Sequence, residues 1–172
     1  MPLEFFASNT SSPDVGREYL SYSRRQLLKE YFPRIKRCVQ ELSVEDIWWR
    51  AHESDNSIGN LILHLNGNIR QWIITGLGEA PDVRNRESEF AERSHIDGNT
   101  LLSIFEATLH EADRALERFD VSMLLETRHI QIFDVTCLDA ISHVVEHVAQ
   151  HLGQIIYITK LRTGKDLKFF NL

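Results

Sequence analysis

The sequence predicts an all-α protein built as a four-helix bundle, with short additional helices and a small irregular segment before the last long helix. Two observations carry this. Apolar residues recur in steps of three and four along four long segments, whereas convincing period-two alternation is scarce. The chain has 172 residues, 42% hydrophobic and 26% charged, which is enough for a real core and too apolar for disorder. A single domain over residues 1–172 is expected, loosely ordered over 1–12.

The first segment runs from about Val15 to Leu42, with Tyr19, Leu20, Leu27, Leu28, Tyr31, Ile35 and Val39 as its apolar stripe. Pro33 is expected to kink it, because the ring removes a backbone donor and clashes with the preceding turn. Ser43 caps a short helix through Trp48 and Trp49, with Glu45 and Asp46 at the positive end of its dipole. A second long helix starts at Ser57 and ends near Gly76 and Gly78, with Ile58, Leu61, Ile62, Leu65, Ile69, Trp72 and Ile73 facing the core. The stretch from Glu79 to Gly98 reads as a polar connection, and long connections in compact domains are often functional. A third helix covers about Asn99 to Phe119. Thr127 to Thr136 has β character, but Ile130, Ile132 and Val135 alternate too poorly to require a hairpin. From Thr136 as cap, the fourth helix reaches about Leu161 and stops at Gly164.

Net charge is −6, which makes nucleic acid a poor partner, since phosphate binding depends on clustered Lys and Arg. The basic residues from Arg17 to Arg37 read as a solvated helix face. No apolar run approaches the length of a membrane span. Met1 to Ser12 shows no signal-peptide pattern and Cys38 and Cys137 no paired spacing, so a cytoplasmic, reducing location is expected. Both cysteines read as buried thiols.

Bundle interiors commonly house metal or ligand sites built from facing helices, so side chains that interrupt the apolar pattern carry the functional reading. Histidine is the one that does. His143, His147 and His151 repeat at steps of four, placing adjacent imidazoles on one face at chelating separation. The apolar face of that helix is set by Ile141, Val145, Val148, Leu152 and Ile155. His151 lies nearest to it, His147 next and His143 furthest away. A third ligand must come from another segment, and His64, beside the apolar stripe of the second helix, is the candidate. His64, His147 and His151 would then form an open three-histidine site of the kind that catalytic zinc uses. An ion there is a strong Lewis acid, able to lower the pKa of a bound water or keep a thiol deprotonated. His52, His95, His110 and His129 read as ordinary hydrogen-bonded histidines. His143-Val144-Val145-Glu146-His147 also matches the inverted zinc-peptidase pattern H-x-x-E-H, a short motif easily met by chance.

Ser57-Ile58-Gly59-Asn60-Leu61-Ile62-Leu63-His64-Leu65, together with His147-x-x-x-His151-x-Gly153-Gln154-Ile155, resembles the DinB/YfiT-like superfamily of metal-binding helical bundles. Trp48-Trp49-Arg50, Arg84-x-Arg86-x-x-Glu89-Phe90 and Tyr157 to Leu161 extend the likeness, over about Tyr19 to Leu167, to one uncharacterised branch. The resemblance implies up-down-down-up connectivity, a homodimer and a divalent ion on His64, His147 and His151. Nickel, zinc, iron and manganese all suit such ligands. It further implies a metal-dependent enzyme acting on a small-molecule substrate, with a thiol such as mycothiol or bacillithiol as co-substrate of an S-transferase. A metal-dependent hydrolase and a non-catalytic metal-binding stress protein are the alternatives. Arg70, Arg84 and Arg86 are candidate partners for carboxylates or phosphates. Asn60, Asn68, His143 and Gln154 are candidates for supporting the ligands or contacting substrate.

Overall fold

In the computed structural model, residues 12–78 and 80–169 are described. The expectation of loose order over 1–12 lies outside them, except that the first helix begins at Ser12. The chain is mostly helical, and its long helices pack around one contiguous apolar cluster that includes Ile35, Ile62, Leu65, Ile69, Phe105, Leu109, Ile141 and Ile155. Among the described residues, no helix is long and apolar enough to cross a membrane.

The first segment is α1 (Ser12–Arg25), a π-helical stretch (Gln26–Tyr31) and α2 (Phe32–Gln40) in unbroken succession. The widened register, with Phe32 N–H donating to Leu27 O, falls immediately before Pro33. A proline ring collides with the carbonyl four residues back in an α-helix, and the π register relieves that crowding without ending the helix. Ser43 caps α3 (Val44–Ile47) by accepting from Asp46 N–H. Ser57 caps α4 (Ile58–Ile69) in a reciprocal box with Asn60, and a second π stretch, Arg70–Thr75, carries the helix on to Gly76.

Two connections differ from expectation. The polar stretch after Gly78 contains a short helix, α5 (Arg86–Ala91), capped by Asn85 and packed on α4. Its six residues are too few to show a period, so its helicity is decided by the cap and by that packing. The segment expected to be irregular is a regular antiparallel hairpin, β1 (Thr127–Ile130) and β2 (Phe133–Thr136), with Ile130 opposite Phe133. Four-residue strands hold too few positions for alternation to register. The turn also lacks the glycine that normally announces it, because Gln131 itself takes the left-handed conformation at φ 59°.

Between these connections runs α6 (Gly98–Arg118), capped by Asp97. The hairpin leads into α7 (Cys137–Thr163), whose cap Thr136 accepts from Asp139 N–H and whose end is made by Gly164 at φ 65°. Val144, rather than Val145, completes the buried face of α7 with Ile141, Val148, Leu152 and Ile155. Helix α4 packs against both α6 and α7, which places the His64 helix beside the helix carrying the three spaced histidines.

Candidate metal centre

The packing of α4 against α7 brings three imidazoles to one point. His64, His147 and His151 each offer a ring nitrogen, and these atoms all lie within 4.8 Å of one another. The Nε2 atoms of His64 and His147 are 2.9 Å apart, and the His151 ring stands edge-on to both of the others. Around a tetrahedral ion with bonds of about 2.1 Å, ligand nitrogens are separated by about 3.4 Å. Small side-chain rotations bring the three rings to that spacing. Donor type and separation therefore fit a divalent ion.

The far side of the rings strengthens the fit, because ligating histidines usually donate their second N–H to a fixed acceptor. His64 Nδ1 lies 3.0 Å from Glu89 Oε2, and His151 Nδ1 lies 2.7 Å from Gln154 Oε1. The Arg84 Nη2 atom is 3.1 Å from His64 Nδ1 but can only donate, and it does so to Glu89 Oε2 at 2.8 Å. His64 Nδ1–H is therefore directed at Glu89, leaving Nε2 free to coordinate.

Glu89 is the residue that local sequence reasoning left out of the site. It is 8% exposed, held by Arg84 through Nε at 2.7 Å as well as Nη2, and it rests on Gly67, where a Cβ would overlap its Oε1. The available signal was Gly67 itself, a glycine inside a helix one turn beyond His64, which marks close approach of another group. Burial alone would raise the Glu89 pKa. The hydrogen bonds from Arg84 and His64 outweigh it and hold the carboxyl below its ordinary value.

Electrostatics keep His147 and His151 neutral. Burial, then the neighbouring His151, His64 and His143, push the pKa of His147 down to about 3. Burial also lowers that of His151, against the opposing hydrogen bond to Gln154 and with help from His64. Neutral imidazoles have the lone pairs that coordination needs. Burial likewise raises the Cys38 thiol to about 11 and the Cys137 thiol upward, so the buried reading of both cysteines agrees with the structure.

The other expected site residues are distributed around this centre. His143 lies one turn before His147 with its ring stacked on that ring, outside the trio. Trp72 covers it at 4.2 Å, and Asn68 Nδ2 approaches its Nε2 at 3.3 Å. Asn68 Oδ1 and Trp72 Nε1, on the same face of the helix, are buried without protein partners. Asn60 serves the fold directly: its Nδ2 donates to Glu89 O at 2.9 Å, anchoring α5 over α4. Arg86 lies over the Phe90 ring at 4.9 Å, and Phe90 leans on His64 at 4.8 Å. Arg70 points elsewhere, to Glu111 on α6 at 2.7 Å. Glu146, the would-be base of the peptidase motif, is exposed, and the metal-capable group excludes that motif's first histidine.

A family model described as a protein of unknown function, DUF1572, matches residues 14–172. The chain belongs to the DUF1572 family. No curated protein matches it. Within this DUF1572 chain the match spans every residue of the centre, from the His64 helix through Glu89 to Gln154.

Proposed function

We propose that this DUF1572 protein is a divalent-metal-dependent enzyme of the DinB/YfiT-like superfamily, built as a four-helix bundle with up-down-down-up connectivity. The reaction is transfer of a low-molecular-weight thiol, such as bacillithiol or mycothiol, to a small electrophilic substrate. The observation that carries the reading is the three-histidine cluster, supported by Glu89 and Gln154. An ion held there supplies Lewis acidity that keeps a bound thiol deprotonated at neutral pH. In the transfer, the sulfur forms a bond to an electrophilic carbon, the leaving group departs with its electron pair, and the thiol proton passes to solvent.

The chain's own contribution is positional. Glu89 fixes the tautomer and orientation of His64, and Gln154 does the same for His151. Arg84 neutralises Glu89, so the buried support has no net charge of its own. His147 and His151 are half-buried rather than sealed, which supports access for a small molecule. A second copy of the chain as partner and a cytoplasmic location complete the reading; the acidic balance speaks against nucleic acid.

The test is metal analysis of the full chain after loading with nickel, zinc, iron(II) or manganese, beside the double variant His147→Ala/His151→Ala. About one ion per chain in the parent, lost in the variant, is expected. A parent without stoichiometric metal overturns the proposal. In a cobalt-substituted sample, added thiol is expected to alter the visible spectrum, and indifference to every thiol removes the transferase assignment.

A further inference from the structure

A groove of 510 Å³ lies between the turn carrying residues 49–56, the first turn of α4 and the outer face of late α7. That volume falls within the range of small-molecule sites. Its walls join two chemistries. Tyr157 and Leu161 are large apolar side chains left 69% and 56% exposed, and Trp49 lies beside them, with the Arg162 guanidinium over its ring at 4.8 Å. Arg50 also lines the groove; its Nη2 donates to Asn60 Oδ1 at 3.0 Å and its Nε is buried with no partner.

Arg50 has no carboxylate, in contrast to three arginines of the same region. Arg84 has Glu89, Arg70 has Glu111 and Arg162 has Asp46. Arg50 forms no ion pair with any described residue. Burial, then the nearby Arg93 guanidinium, press its pKa below the ordinary arginine value, and Glu53 opposes them only at a distance. Arg93 is itself spent on the carbonyls of Phe90 and Glu92. Asp55, the acidic side chain of the groove, accepts the His52 backbone N–H within its own turn. A guanidinium without a carboxylate partner is complemented by a carboxylate, to which its planar fork donates two parallel hydrogen bonds.

We propose that this groove binds small organic acids with an aromatic or aliphatic body, the carboxylate held by Arg50 and the body lying along Tyr157 and Leu161. The site adjoins the histidine cluster, because Gln154 forms part of its wall and accepts from His151. Binding of the acid requires no ion and does not depend on the metal reading.

The test uses 3-phenylpropanoate and its amide, 3-phenylpropanamide, titrated by NMR into the full chain with and without zinc. Shifts confined to amides of residues 49–56 and 154–161 are expected. The acid should bind roughly tenfold more tightly than the amide, as expected for a charge-assisted pair over a neutral one. Arg50→Gln should erase that difference, and Tyr157→Ala should weaken both probes. If Arg50→Gln fails to fold, the acid–amide comparison on the parent still decides. Equal binding of acid and amide, shifts elsewhere, or self-association that occupies the groove and excludes both probes would each overturn the proposal.

Discussion

Glu89→Gln removes the negative charge from a carboxylate that serves two partners at once. Its side chain is 9% exposed and that of Arg84 5%, and they meet through two bonds of 2.7 and 2.8 Å. Glutamine keeps an acceptor for His64 Nδ1–H but leaves the guanidinium buried without a counter-charge. Breaking one side of a buried pair costs about 3–5 kcal/mol. A protein of this length loses about 2–4 °C in Tm per kcal/mol, so a fall of about 6–20 °C is expected. The assay is thermal unfolding of metal-free protein followed by circular dichroism, for Glu89→Gln, Arg84→Met and the double variant. The double variant should be more stable than Glu89→Gln alone, because no orphan charge remains. Its metal affinity should still be reduced about 10–100-fold, since His64 has lost its anionic support. If Glu89→Gln unfolds within about 1 kcal/mol of the parent and the double variant recovers nothing, the coupled-pair reasoning fails.

Gly67→Ala would gain about 1 kcal/mol from helix propensity at an open position. Here its Cβ overlaps Glu89 Oε1, so a loss of about 1–3 kcal/mol in urea unfolding is expected, accompanied by weaker metal binding. His147 has a folded pKa of about 3 against an ordinary value of 6.5, so the unfolded chain takes up a proton that the folded chain refuses. Stability of the metal-free protein should therefore decline as pH falls from 6.5 toward 3, and His147→Gln should flatten that decline; parallel pH profiles of parent and variant would contradict it. Glu89, whose folded pKa is depressed, adds stability that is present above about 4.5 and lost as pH falls through its folded value, so Glu89→Gln should flatten the lower part of the same profile. Ser57→Ala removes the cap at the start of the His64 helix and should lower unfolding stability by about 0.5–2 kcal/mol; no change would mean that Asn60 and Arg50 hold that end without it.

Long helices were legible because a period of three to four residues repeats many times in each, and their caps are single polar residues beside an apolar run. Ser43, Ser57 and Thr136 all cap where the pattern places them. The short elements were not. α5 and the hairpin strands are too brief for any period, and their conformations follow from what they pack against. The same limit governed Val144 and Val145, adjacent residues separated by about 100° of rotation, between which only the neighbouring helices discriminate.

At the centre, the order of residues along the chain determined that His147 and His151 share a helical face, because the α-helix imposes that separation wherever it forms. It also marked His64 as a histidine beside an apolar stripe. Convergence of His64 on the other two, its carboxylate Glu89 and the counter-charge Arg84 were decided by tertiary packing. These contacts join residues 83, 25 and 20 positions apart, and no local propensity reports a separation of that kind. They exist because α4, α5 and α7 bury their apolar faces against one another, and the polar groups carried inward must then find partners among themselves.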